Sequence, residues 1–125
     1  MTKYLISFPN DAMDDIPEEE MPQVADAAHA FTRETIEAGV YVVAGGLEEE
    51  PATLVAVDGT TSIDGPTPFA IGGFVILDVP TRQDALAWAA KAAIACRVPQ
   101  EVRAIGSDPE LEAMLRDAGH PSTGD

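Results

Sequence analysis

Apolar and polar positions change period several times along the chain, and each change marks an element. Lys3 to Phe8 alternates, with Tyr4, Ile6 and Phe8 on one face and Lys3, Leu5 and Ser7 on the other. That period of two predicts a strand with one well-buried face, ended by Pro9-Asn10-Asp11. Asp14 to Met21 is acidic and contains Pro17. It reads as a loop or a frayed first turn, with acids where a helix N-terminus favours them. From Pro22 to Ala38 the period becomes helical. Val24, Ala28, Phe31 and Thr35 form one stripe, with Asp26, Arg33 and Glu37 opposite. Pro22 suits a helix start and Gly39 a helix stop.

Val40 to Ala44 is β-branched and predicts a second strand, with Gly45-Gly46 ending or bulging it. Ala52 to Val57 predicts another, and after the Asp58-Gly59 turn signal Thr60 to Ile63 returns as a brief hairpin arm. Ile71 to Val79 contains Phe74-Val75-Ile76-Leu77, apolar on both sides, as a central strand requires. Thr81 is placed as an N-cap with Asp84 in the capping-box position. An alanine-rich helix then runs through Cys96, its inner stripe expected at Leu86, Ala89, Ala90 and Ala93. Glu101 to Ile105 predicts a last strand and Pro109 to Ala118 a short terminal helix. His120 to Asp125 is expected to be mobile.

The order is β-α-β-β-α-β plus an extra C-terminal helix, an α+β, ferredoxin-like arrangement with an antiparallel sheet. Residues 1–106 make the domain, and 107–125 the terminal helix and tail. Both helices carry a single apolar stripe and so cover one sheet face. The central strand is apolar on the other face too, and no remaining element covers it. A homodimer packed sheet to sheet is therefore expected; the alternative is a monomer with a half-exposed sheet.

Composition narrows the function classes. The 125 residues hold 7 Lys+Arg against 22 Asp+Glu, for a net charge of −15. Such a surface repels phosphate backbones and anionic headgroups, which argues against nucleic-acid and membrane-surface roles. The one cysteine, Cys96, allows no internal disulfide. The first apolar run is too short for a signal-peptide core, and no stretch reaches the ~20 apolar residues of a membrane span. A cytoplasmic location is expected.

Candidate chemistry is sparse. Asp64, in Asp64-Gly65-Pro66, is either a carboxylate at a loop rim, acting as base or ligand acceptor, or the first residue of a turn accepting a backbone N–H. His29 borders the apolar stripe of the first helix. An imidazole there serves either as a general base or as a half-buried helix residue. Tyr4, Phe8, Phe74 and Arg103 are candidate pocket or interface lining on strands. Arg33 and Arg103 are expected to pair with carboxylates rather than bind an anionic ligand. Glu18-Glu19-Glu20 and Glu48-Glu49-Glu50 read as solvated charge runs, and no His/Cys pair has ligand spacing, so no metal is expected. Gly45-Gly46 and Gly72-Gly73 lack a phosphate-loop pattern and read as bulges or close backbone contacts, so no cofactor is expected either. Cys96 reads as a core thiol, and Trp88 as core or interface.

Several of these segments fall in a family-like order. Val57-Asp58-Gly59, Ile63-Asp64-Gly65-Pro66 and Ile71-Gly72-Gly73-Phe74-Val75-Ile76-Leu77-Asp78-Val79 are followed by Asp84-Ala85-Leu86-Ala87-Trp88-Ala89 and Glu101-Val102-Arg103-Ala104-Ile105. With Phe31, Glu34 and the Ala38-Gly39 turn, this set resembles the YCII-related family, in its branch with an Asp-Gly-Pro-Phe motif. The resemblance runs from Lys3 to about Ile105. It implies a dimeric α+β barrel of ferredoxin-like subunits and an active-site dyad of a first-helix His with an Asp. It also implies either a small-molecule enzyme or an accessory module associated with extracytoplasmic-function sigma factors. The chain departs from the pattern at Thr67, where the motif has phenylalanine. It departs again at Ala28, where the family histidine would stand, with His29 one place on.

Overall fold

The computed structural model describes residues 1–48, 52–62 and 71–120. Within them the chain forms an α+β unit with a four-stranded antiparallel sheet and three α-helices, compatible with a ferredoxin-like fold. The elements are β1 (Thr2–Pro9), α1 (Met21–Glu37), β2 (Tyr41–Gly46), β3 (Leu54–Val55), β4 (Thr61–Ser62), β5 (Ile71–Val79), α2 (Arg82–Cys96), β6 (Glu101–Ala104) and α3 (Pro109–Asp117). The main sheet has the order β2-β5-β1-β6, and β3 and β4 form a separate ribbon. The Ala52–Val57 and Thr60–Ile63 arms thus pair with each other, outside the main sheet. Ile63 lies outside the described residues.

The acidic lead-in to α1 is a single 3-10 turn, Glu18–Glu20. Pro22 then sits in the first turn of α1, where its missing N–H costs no hydrogen bond. Val24, Phe31 and Thr35 are buried, as the stripe requires. Thr35 is wholly buried and donates its hydroxyl to the Thr32 carbonyl at 2.6 Å. Gly39, at φ +76°, makes the left-handed turn that stops the helix.

Sheet register assigns the faces. Tyr4 pairs with Leu77 and Ile6 with Val75, and all four are buried under α1 and α2. Leu5 pairs with Ile76, and Ser7 with Phe74, on the face without helices. The helix-covered core also holds Val79, Phe31 and three alanines of α2. Those alanines are Ala85, Ala89 and Ala92, which corrects the expected stripe. Leu86 is 44% exposed and Ala90 faces solvent. Alanine occupies every side of this helix, so the sequence offers almost no contrast by which to fix its rotation. Its N-cap is as expected: Thr81 Oγ1 accepts from the Asp84 N–H at 3.1 Å and donates to Asp84 Oδ2 at 2.9 Å.

Arg97 ends α2 in the left-handed region, at φ +62°, where non-glycine residues are uncommon. Its guanidinium pairs with Glu20 and reaches Gln23 Oε1, tying the end of α2 to the start of α1. Trp88 packs against the core with its ring edge-on to Phe31, centroids 6.1 Å apart. Lys91 covers the outer side of that indole and pairs with Glu34 at 3.1 Å.

Candidate functional site

Two sequence features built far apart meet at one end of the sheet. Phe8 ends β1 on the helix-covered face, and Gly73 stands opposite it on β5. A Cβ at Gly73 would lie 2.5 Å from Phe8 Cζ, so only glycine lets the ring rest on the bare strand. Gly72 is equally constrained: a Cβ there would meet Asn10 Cα at 2.7 Å. The Gly72-Gly73 pair is a close-approach site, and the β1–β5 register shifts beside it, between Phe8 and Pro9. On the other side of β5, Gly46 faces Gly73 and Gly45 faces Phe74. This end of the sheet therefore has little side chain on β2 and β5.

The consequence is a cavity of about 370 Å³ between the sheet end, α1 and α2. Phe8, Phe31 and Tyr41 supply aromatic wall. Ala28, Ala44, Gly45, Gly46, Gly73 and Ala92 leave the space, because each stops at or before Cβ. The polar lining is His29, Thr32, Tyr41, Cys96 and Gln100. A volume of this size lies in the usual range for small-molecule pockets.

The lining groups have definite hydrogen-bond states. The Tyr41 hydroxyl accepts from the Ala44 N–H at 3.2 Å, which leaves its own proton to donate. Thr32 Oγ1 donates to the Ala28 carbonyl at 3.0 Å and keeps its lone pairs. Gln100 donates through Nε2 to the Val98 carbonyl at 3.2 Å and keeps Oε1. His29 is exposed at the cavity, and its imidazole has no hydrogen bond to another described residue. Burial pushes the Cys96 thiol above its ordinary pKa, so it is a neutral group rather than an activated nucleophile.

The sequence-derived candidates divide. Phe8, Phe74 and His29 all lie at the cavity. Register directs the Phe74 side chain to the helix-free face, where its ring lies 3.9 Å from the Cβ position of Gly45. Tyr4 is buried in the core, away from the cavity lining. Arg103 pairs in register with Leu5 on the helix-free face and is exposed. Asp64, with the rest of Asp64-Gly65-Pro66 and Thr67, lies outside the described residues. The expected carboxylate partners of Arg33 and Arg103 are not found among the described residues, where the ion pairs are Lys3–Asp78, Lys91–Glu34 and Arg97–Glu20.

Two groups escaped the sequence reading. Tyr41, Ala44 and Gln100 line the cavity, and the signal for them was the glycine pairs flanking two strands at matching ends. Asp78 is the other. It is only 3% exposed on the helix-free face, with Oδ2 3.7 Å from Lys3 Nζ and Oδ1 unpartnered among the described residues. Its signal was a lone acid in the apolar run from Phe74 to Val79. At the ribbon turn, Asp58 accepts from the Thr60 N–H at 3.0 Å and the Thr60 hydroxyl at 2.8 Å, which holds its carboxyl below the ordinary pKa. That turn contact is present above the ordinary aspartate pKa and is lost as pH falls through the lowered value.

Among the described residues no three His, Cys, Asp or Glu side chains form a metal-binding group, and no helix is long and apolar enough to cross a membrane. Against known proteins, no family model matches the chain and no curated sequence matches it significantly.

Proposed function

We propose that this chain is a YCII-like, ferredoxin-like homodimer of the α/β-barrel type that binds a small organic molecule in the cavity beside His29. The carrying observation is the cavity of about 370 Å³ with aromatic walls and a free imidazole at its edge. His29 takes the acid–base role that the resemblance gives to a histidine of the first helix, and Asp64 is the second acid–base candidate. An imidazole suits that task because its ordinary titration lies near neutrality. The test is a ligand thermal-shift screen of the wild type, His29→Ala and Asp64→Ala. Binding stabilises by the logarithm of ligand over dissociation constant. A compound whose shift is lost in either variant supports the reading; hits indifferent to both overturn it.

The dimer is supported by the helix-free face. Leu5, Phe74 and Ile76 lie there half-buried, with Val43 more exposed beside them. A second copy packed on this face would remove these groups from water. Sedimentation at micromolar concentration tests it, and a monomer there overturns it. A second reading is an accessory module that binds a regulatory protein. It is favoured by α3, which buries no residue and shows Leu111, Met114 and Leu115 on its surface.

A further inference from the structure

We infer that the cavity selects a neutral aromatic alcohol: a flat ring bearing a hydroxyl, with a small apolar substituent. This rests on the small-molecule reading above and names the ligand class it left open. Three observations carry it.

The first is shape. Phe8 lies on the bare backbone of Gly73, so a planar ring and a side-chain-free strand meet at the cavity wall. Phe31 and Tyr41 add aromatic surface, and rings prefer offset or edge-on contact with other rings. At about 370 Å³ the space exceeds the roughly 150 Å³ that accommodates benzene in an apolar cavity. The difference leaves room for substituents on one such ring.

The second is charge. Among the described residues no Asp, Glu, Lys or Arg lines the cavity. Apart from His29, no described lining residue offers an anion a basic side chain, and the anion must also approach a protein of net charge −15. A cation is drawn by that field but finds no carboxylate among the described lining residues to replace its water.

The third is hydrogen-bond parity. Tyr41 has a proton to give, whereas Thr32 and Gln100 have oxygens to offer. A hydroxyl both donates and accepts, so it is satisfied beside any of them. A carboxylate only accepts and an ammonium only donates, so each is mismatched to part of the lining.

The test is calorimetric titration with four matched probes: 4-ethylphenol, 4-ethylbenzoate, 4-ethylbenzylamine and 4-ethylcyclohexanol. The expected result is 4-ethylphenol binding at least about tenfold tighter than each of the other three, a gap of about 1.4 kcal/mol. Ala28→Leu, which fills the space, abolishes that binding. Tyr41→Phe, at a partly exposed position, keeps the fold and weakens 4-ethylphenol toward 4-ethylcyclohexanol. If the benzoate, the amine or the cyclohexanol matches 4-ethylphenol, this inference is overturned and small-molecule binding stands. It is equally overturned if both variants bind 4-ethylphenol as the wild type does. If none of the four probes binds the wild type, the cavity reading itself falls.

Discussion

The helix-covered face of the sheet and its helix-free face are made by the same strands, one residue out of phase, yet they are finished differently. On the covered face Ile6, Leu77 and Val79 are wholly buried, because α2 presents Ala85, Ala89 and Ala92 and so approaches closely. On the other face Leu5 and Ile76 remain half-exposed, beside Asp78 and Lys3. The first face is closed by the chain's own helices. The second carries apolar residues and a buried carboxylate without a covering helix among the described residues. Small residues act in opposite ways at the two ends of the covered face. Ala85 and Ala89 of α2 let the helix close down on the core, whereas Ala92, Gly45, Gly46 and Gly73 border a cavity where no side chain fills in.

The largest expected effect separates the faces directly. Leu77→Ala removes a fully buried side chain, and such truncations cost about 2–5 kcal/mol including the cavity left behind. Its register neighbour Ile76→Ala on the helix-free face costs about 1 kcal/mol in an isolated chain, since the side chain is already half in water. Chemical denaturation at several protein concentrations measures both. If the face is a dimer interface, the wild-type midpoint rises with concentration and Ile76→Ala reduces that dependence. Equal losses for the two variants at high dilution would abolish the distinction between the faces.

Lys3→Met probes the polar edge of the same face. Lys3 is a third exposed, but the Asp78 side chain is 4% exposed, so removing the ammonium leaves a nearly dry carboxylate without its cation. Truncating one partner of a fully buried pair costs about 3–5 kcal/mol, and the 3.7 Å separation and partial solvation of Lys3 bring the expected loss nearer to about 2 kcal/mol. Lys3→Met with Asp78→Asn should recover most of it, because the uncompensated charge is then gone. A double variant no better than Lys3→Met would show that packing of the lysine stem, not charge, carries the effect.

Much of this architecture was legible because its signals are strong and local. Alternation located β1 and the face of Tyr4 and Ile6, and the Val24–Phe31–Thr35 stripe located the buried side of α1. Proline and glycine punctuation placed the ends of α1 and α3 within a residue or so. The rotation of α2 was not legible, since fifteen residues dominated by alanine look similar from every side. The cavity was hidden for a different reason. It is defined by missing atoms contributed by α1, β2, β5 and α2, and local periodicity does not report which small residues face one another. Of the two glycine pairs read as bulges or close backbone contacts, Gly72-Gly73 makes a close contact and Gly45-Gly46 does neither. Asp78 was obscured by the apolar run around it, which reads as core on both sides.

The smallest effect concerns two N-caps of like chemistry on helices of unlike attachment. Thr81 caps α2 through the Asp84 N–H, and Asp108 caps α3 through the Leu111 N–H at 3.0 Å. Replacing either by alanine removes about 1 kcal/mol of local helix stability. For Thr81→Ala that loss appears in global unfolding, because α2 is locked to the covered face and cannot fray alone without exposing core. For Asp108→Ala it stays local. A nine-residue helix with no buried side chain is marginal in water, so α3 unwinds while the sheet remains folded. Trp88 fluorescence reports the core and amide hydrogen exchange reports α3. The Trp88 midpoint should fall for Thr81→Ala and hold for Asp108→Ala, while only the latter speeds exchange at Leu111 to Leu115. A matching fall for both would mean that the apolar surface of α3 is packed in solution rather than exposed.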